Sequence, residues 1–282
     1  MTLWSTYLGS QLHYLHAAGT RTRIVRTPGP SGPRPIVLLH GRGGHLESFA
    51  RNVTALSAHA EVISLDLLGH GLTAQTGSSY DIGEIARHVD AVLDLLDDGR
   101  GFDVVAQSLG AWAALLLAGQ HPGRFARLVL IEPAGLQRQA ERLGDPRVAR
   151  AAEAGGQVFD HPSEQNVRLR FAQLLHDPAS CDDEMVELRR RLYGLPGATA
   201  VHKAVRTADN DRFVLDDGRL RSITSPVLFV RGEHGHLPAA LLSAAASGID
   251  GSALLTVAAA KQWPHYERPD IVNPRILHHL GR

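Results

Sequence analysis

The sequence predicts an α/β protein, with a mostly parallel central sheet flanked by helices and split by a helical insertion. Three observations carry that prediction. Short apolar runs of strand length alternate with helical patterns through the first half of the chain. Those runs are continuous in apolar character, as in strands buried on both faces. Strand-like runs then stop near residue 135 and return only after residue 210.

Taken in order, PIVLLH (35–40), EVISLD (61–66), FDVVA (102–106) and RLVLIE (127–132) read as strands. Helix patterns lie between them at 46–59, 82–96 and 109–120, each closing near Gly, Asp or His-Pro. From 135 to 210 the chain is rich in Arg, Glu and Ala at helical spacing, broken at Asp177-Pro178 and Leu195-Pro196-Gly197. This stretch reads as a helical cap. SPVLFVRG (225–232) and ALLTVA (253–258) restore the strand pattern, and a closing helix follows at 269–280. The expected organisation is therefore a core of residues 1–134 and 211–282 around a cap of residues 135–210.

Composition excludes several function classes. The chain has 282 residues with 29 basic and 29 acidic side chains, so it has no net charge to hold nucleic acid or an anionic membrane. One cysteine, Cys181, forms neither an internal disulfide nor a cysteine zinc cage, which points to a reducing compartment, the cytoplasm. No basic head followed by an apolar stretch opens the sequence, and no apolar run approaches the roughly 18 residues of a membrane span. The expected partner is a small-molecule substrate, with no cofactor. A homodimer is compatible with a sequence that carries no signal for oligomeric state.

Chemistry concentrates in a few turns. Ala106-Gln107-Ser108-Leu109-Gly110 joins a strand to a helix and places a serine on a tight turn between small residues. Such a turn lifts the hydroxyl above the sheet beside a helix N-terminus, whose free N–H groups favour developing negative charge. A plain helix cap by Ser108 is the alternative. Upstream, His40-Gly41-Arg42-Gly43-Gly44 follows a buried strand directly.

With these residues in place the chain resembles the α/β-hydrolase superfamily: HGRGG matches its oxyanion loop, DLLGHG (66–71) the next turn, and QSLGAW (107–112) its nucleophile elbow. The stretch LLHGRGGHLESFARN (38–52) and the phrase RLYGLPG (191–197) are similar to the branch of meta-cleavage-product hydrolases, which split carbon–carbon bonds in oxo-dienoic acids. The resemblance implies an oxyanion hole from the backbone N–H groups of Arg42 and Leu109. It makes Gly41, Gln107, Gln262 and Trp263 candidate pocket-lining residues, and implies an acid-binding arginine among Arg189, Arg190 and Arg191, with Arg191 or Arg189 favoured. His40, His70 and Asp66 read as structural, and His45 as a lesser pocket candidate.

Two departures stand out. Where the superfamily ends a strand with Gly-x-x-Asp, this chain has Gly232-Glu233-His234-Gly235, and where the family has its catalytic histidine this chain has Gln262. A glutamine amide accepts no proton near neutral pH, so the relay lacks its acid and base positions. One repair draws a triad of Ser108, His265 and Glu132, with His265 one turn beyond Gln262. A metal held by Glu233, His234, His236 and His265 is a weaker alternative, and no metal is expected. Three functions follow: a non-hydrolytic enzyme (cyclisation, elimination or carbon–carbon lyase) acting on a small oxo or polyketide-like metabolite, a serine hydrolase using the repaired triad, or a non-catalytic binder.

Overall fold

Alternate residues of each apolar run point to opposite faces of the sheet, and both faces are covered except along the half-exposed edge run 253–257. In the computed structural model, which describes residues 2–282, the runs become β3 (Ile36–Leu39), β4 (Val62–Leu65), β5 (Phe102–Gln107), β6 (Phe125–Ile131), β7 (Val227–Gly232) and β8 (Ala253–Val257). Val37, Leu39, Val104, Ala106, Leu128 and Leu130 join one core with helices Ile82–Leu96 and Leu109–Gln120. Their neighbours Ile36, Leu38, Val105, Val129 and Ile131 join a second core with helices Ala50–Ser57 and Pro269–His279. Two-sided burial is why these strands are uniformly apolar. Each fully buried Leu, Val or Ile contributes about 1.5–3 kcal/mol of transfer free energy.

The sheet has eight strands in the order β1-β2-β4-β3-β5-β6-β7-β8. The additional pair, β1 (Gln11–Ala17) and β2 (Thr20–Thr27), forms an antiparallel hairpin whose second strand pairs antiparallel with β4. Sequence reasoning did not assign this hairpin. Its strands are largely polar, β1 is mostly exposed, and the turn at Ala18-Gly19 needs two positive φ angles from an unobtrusive dipeptide. From β3 onward all pairings are parallel.

Register puts the functional turns level. Leu39 pairs with Ala106, Ala106 with Leu130, and Gln107 with Ile131. The segments beginning at His40, Ser108 and Glu132 therefore leave the sheet side by side, at the carboxyl edge where open α/β sheets bind ligands. Between β6 and β7 the chain is helical, including Gln139–Leu143, Pro146–Asp160, Glu164–Leu174, Asp183–Tyr193 and Ala198–Thr207. These helices lie over that edge: Gln262 N–H donates to Leu174 O (2.9 Å), and Tyr193 Oη donates to Gly43 O (2.7 Å). Phe171, Met185, Trp263 and Tyr266 share one buried cluster across the junction. None of the helices is long and apolar enough to cross a membrane, among the described residues.

Candidate active site

Ser108 has φ 49° and ψ −105°, a backbone conformation unusual for a residue with a side chain. Neighbouring contacts hold it there: its N–H donates to Ile131 O (3.0 Å), while its carbonyl accepts from Trp112 N (3.0 Å) and Ala134 N (3.1 Å). Helix Leu109–Gln120 starts immediately and passes so close to β3 that a Cβ on Gly110 would stand 2.6 Å from Leu39 O. Only glycine fits at that approach. The position two residues before the serine tolerates a methyl group, and Ala106 there is fully buried in the sheet.

The turn after β3 faces the elbow. Gln107 crosses over Gly41, where a Cβ would collide with its Oε1. Beneath, His40 Nδ1 donates to Gly41 O (2.8 Å) and Nε2 accepts from Leu67 N (3.0 Å), which ties two turns through one neutral imidazole. Asp66 accepts from Leu46 N and Leu72 N, both at 2.8 Å. His45 is fully buried and bonded to Glu47 Oε2 (2.9 Å), so it braces the turn and lines none of the cavities around Ser108.

A cavity of ≈ 280 Å³ opens over Ser108, between the sheet edge and the helices. Gly41, Arg42, Gln107, Leu109, Gln262 and Trp263 all line it. Among the backbone hydrogen bonds outside helices and strands, none uses the Arg42 or Leu109 N–H group. A smaller recess shares Ser108, Arg142, His236 and Gln262 with this cavity and reaches Glu132.

Glu132 sits at the end of β6 in a positive-φ conformation (43°) and is 1% exposed. Its Oε1 accepts from Gly232 N (2.8 Å), and its Oε2 is buried with no partner. Burial pushes its carboxyl up to about 7, against the lowering influence of the Gly232 N–H, Arg231 and the Leu237 and His236 N–H groups. A Cβ on Gly235 would collide with this carboxylate. A side chain at 235 and the carboxyl of Glu132, placed as it is at the end of β6, therefore exclude one another.

Gln262 lines both the cavity and the recess with Ser108, and its Oε1 is buried without a hydrogen-bond partner. His265 is elsewhere. The chain enters the short helix Pro264–Glu267 directly after Trp263, which turns the His265 ring into the core against Phe49 (4.9 Å between centroids) and behind Trp263 (5.7 Å). Burial lowers its pKa to about 3, and it borders neither the cavity nor the recess. The structure thus does not join His265 to Ser108 and Glu132.

The histidine that does border Ser108 is His236, absent from the residues singled out for catalysis. Burial, then the nearby Arg142, lowers its pKa to about 4, so the ring is neutral at pH 7. Its only sequence signal was the pair His234 and His236, two apart in the loop after β7. His234 turns outward and stacks on His176 (4.4 Å). No cluster of three or more metal-ligand side chains exists among the described residues.

The cap arginines separate as well. Arg191 is exposed and paired with Glu187 (2.7 Å), so it is a solvated residue and not a pocket contact. Arg189 is buried among the rings of Phe171 (4.6 Å), Trp263 (4.7 Å) and Tyr193 (5.7 Å) and does not line the cavity. The cavity arginines are instead Arg42, Arg142, Arg170 and Arg206.

A parallel sheet, a strained serine at its carboxyl edge and a helical cover define an α/β-hydrolase architecture, and residues 34–269 match the model of the alpha/beta hydrolase fold family. The chain belongs to that family. It is 34% identical over 209 residues to the dihydrolipoyllysine-residue acetyltransferase component of an acetoin cleaving system from Pseudomonas putida, over 72% of this chain and 52% of that protein. The chain thus aligns with about half the length of that relative. It is 28% identical over 210 residues to 2-hydroxymuconate semialdehyde hydrolase from Pseudomonas putida, over 72% of this chain and 71% of the relative. Among solved structures, 2-hydroxy-6-oxo-6-phenylhexa-2,4-dienoate hydrolase from Rhodococcus sp. strain RHA1 superposes with a TM-score of 0.82 at 19% identity, covering 97% of this chain and 99% of that one. The family resemblance read from the turns is correct.

Proposed function

We propose that this protein is an enzyme that performs a non-hydrolytic step, an elimination, cyclisation or carbon–carbon cleavage, on a small oxo acid held in the capped cavity. The observation that carries this reading is Gln262 at the base position beside Ser108. An amide at 262 accepts no proton from Ser108, so in this reading the Ser108 hydroxyl serves as a hydrogen-bond donor and not as a nucleophile. The Arg42 and Leu109 N–H groups form the oxyanion hole and hold an enolate oxygen. Glu132, which titrates near neutrality in the adjoining recess, takes the proton whose loss forms the enolate and returns it to the leaving group or to the enolate carbon. That proton comes from carbon in an elimination or cyclisation, and from a β-hydroxyl in a retro-aldol cleavage that turns the carbon bearing it into a carbonyl. The related hydrolases named for oxo-dienoic acids and hydroxymuconate semialdehyde support this substrate class.

A second reading has its own observation. His236, neutral at pH 7, borders the same recess as Ser108 and Glu132, so a hydrolase using Ser108, His236 and Glu132 is the competitor.

Intact-mass measurement after incubation with a fluorophosphonate separates the two. The non-hydrolytic reading expects no adduct on the wild-type protein and an adduct on Gln262→His, where an imidazole returns between Ser108 and Glu132. Stoichiometric labelling of the wild type that disappears in both Ser108→Ala and His236→Ala overturns it in favour of the hydrolase.

A further inference from the structure

We propose that the cavity above Ser108 takes a ligand carrying at least two anionic groups, carboxylate or phosphate, gripped by Arg42, Arg142, Arg170 and Arg206. The inference rests on the cavity being the reaction site and names the class of substrate that site accepts.

The four arginines come from four separate segments. Arg42 stands on the turn after β3, Arg142 on helix Gln139–Leu143, Arg170 on Glu164–Leu174 and Arg206 on Ala198–Thr207. All line the same ≈ 280 Å³ space and all are half-buried. The charges near Arg42 are Arg142, Arg170 and Arg206, which together with burial hold it down to about 9. Arg170 is lowered to about 10 by burial, with Arg189 and Arg142 adding to the effect, and its one hydrogen bond is to the Ala151 carbonyl (2.9 Å). Arg206 Nε is buried with no partner. Arg142 has only Glu132 as a nearby acid, and Asp211 at the rim is exposed and holds Gln139 N (3.2 Å).

The helix behind the cluster is shaped around it. Gly155 and Gly156 lie inside helix Pro146–Asp160, where glycine weakens the helix. A Cβ at 156 would stand 2.8 Å from Arg206 Nη1, and one at 155 would stand 3.4 Å from Arg170 Cζ. Local helix stability has thus been given up where two guanidinium groups pass.

Like charges in a half-buried space repel, and of the four only Arg142 has an acid of the protein, Glu132, acting on it. The chain as a whole is neutral, so this field is local. One carboxylate engages one or two guanidinium groups in bidentate fashion, so four of them match two anionic groups or more. Ser108 lines the same cavity, so a ligand held there lies within the space that the serine borders.

Calorimetric titration with tricarballylate and pyrophosphate, against propionate as the monoanion, at 50 and 300 mM NaCl tests this. Both polyanions are expected to bind at least tenfold tighter than propionate, and more weakly at the higher salt. Arg142→Gln and Arg206→Gln are each expected to lose at least tenfold, and Arg191→Gln, on the exposed face, none. Arg142→Lys and Arg206→Lys keep the charge without the fork and are expected to lose severalfold, which separates ligand recognition from folding. Polyanion binding no tighter than propionate, or unchanged in the Gln and Lys variants, overturns the proposal. Because the readout is binding without turnover, it stands or falls independently of whether the fluorophosphonate labels Ser108.

Discussion

Arg23, buried on β2, and Arg42, half-buried on the turn after β3, have opposite surroundings. Arg23 bonds Asp66 through Nε (2.6 Å) and Glu47 through both terminal nitrogens (2.9 Å each), in a network that continues to His45. Burial alone would raise the Glu47 carboxyl, yet the His45 hydrogen bond and the Arg23 charge hold it at about 2. Arg42, by contrast, is surrounded by three further arginines, and burial with that repulsion lowers its pKa to about 9. A charge that serves the fold carries its partners within the chain; a charge left without partners in a cavity is stabilised by what enters it.

Removing a partner from the compensated network has the largest expected effect. Asp66→Ala leaves Arg23 with Glu47 alone and strands the Leu46 and Leu72 N–H groups, and should lower the unfolding free energy by about 3–5 kcal/mol, measured from urea midpoints. A change below about 1 kcal/mol would erase the distinction drawn between the two arginines.

Glu132 gives the next effect, through pH. Its folded-state pKa, about 7, lies above its ordinary value of 4.5, so the folded protein binds the proton more tightly than the unfolded chain. Its contribution to stability is greatest below about pH 4.5 and is lost as pH rises through about 7, a difference of about 3 kcal/mol. Glu132→Gln should remove that slope and be more stable than the wild type at pH 8 but not at pH 4.5, in denaturant titrations at the two values. Parallel pH profiles for the two proteins would refute the raised pKa.

The smallest effect has the opposite sign to the first. Arg142→Gln relieves repulsion in the cavity and should stabilise the ligand-free protein by about 1 kcal/mol, whereas exposed Arg191→Gln should change stability by less than about 0.5 kcal/mol. Thermal melts in low salt read both. Destabilisation by Arg142→Gln would mean that the cavity arginines brace the cap.

The strands β3 to β7 and the helices Ile82–Leu96 and Leu109–Gln120 were legible because two-sided burial leaves an apolar run and sharp punctuation, and the edge strand β8 because its short run is apolar despite partial exposure. The hairpin Gln11–Thr27 was not legible, since polar strands at a sheet edge carry little pattern. In the site, the three turns that place Ser108, Arg42 and Gln262 announced themselves by spacing. His265 and His236 did not, because a side chain in a loop goes where the next turn of backbone sends it, and one proline after Trp263 sent His265 into the core.

By itself, then, the sequence determined the parallel strands of the sheet, the elbow at Ser108, and the residue types Gln262 and Gly235 in the two later turns. These are consequences of residue type at local spacing. Only the tertiary structure decided that Glu132 fills the space left by Gly235, that His236 is the histidine lining the cavity with the serine, and that four arginines from four segments line it too. Contacts between distant segments depend on how layers pack and on which side chains share one enclosed volume, and local sequence pattern does not encode that.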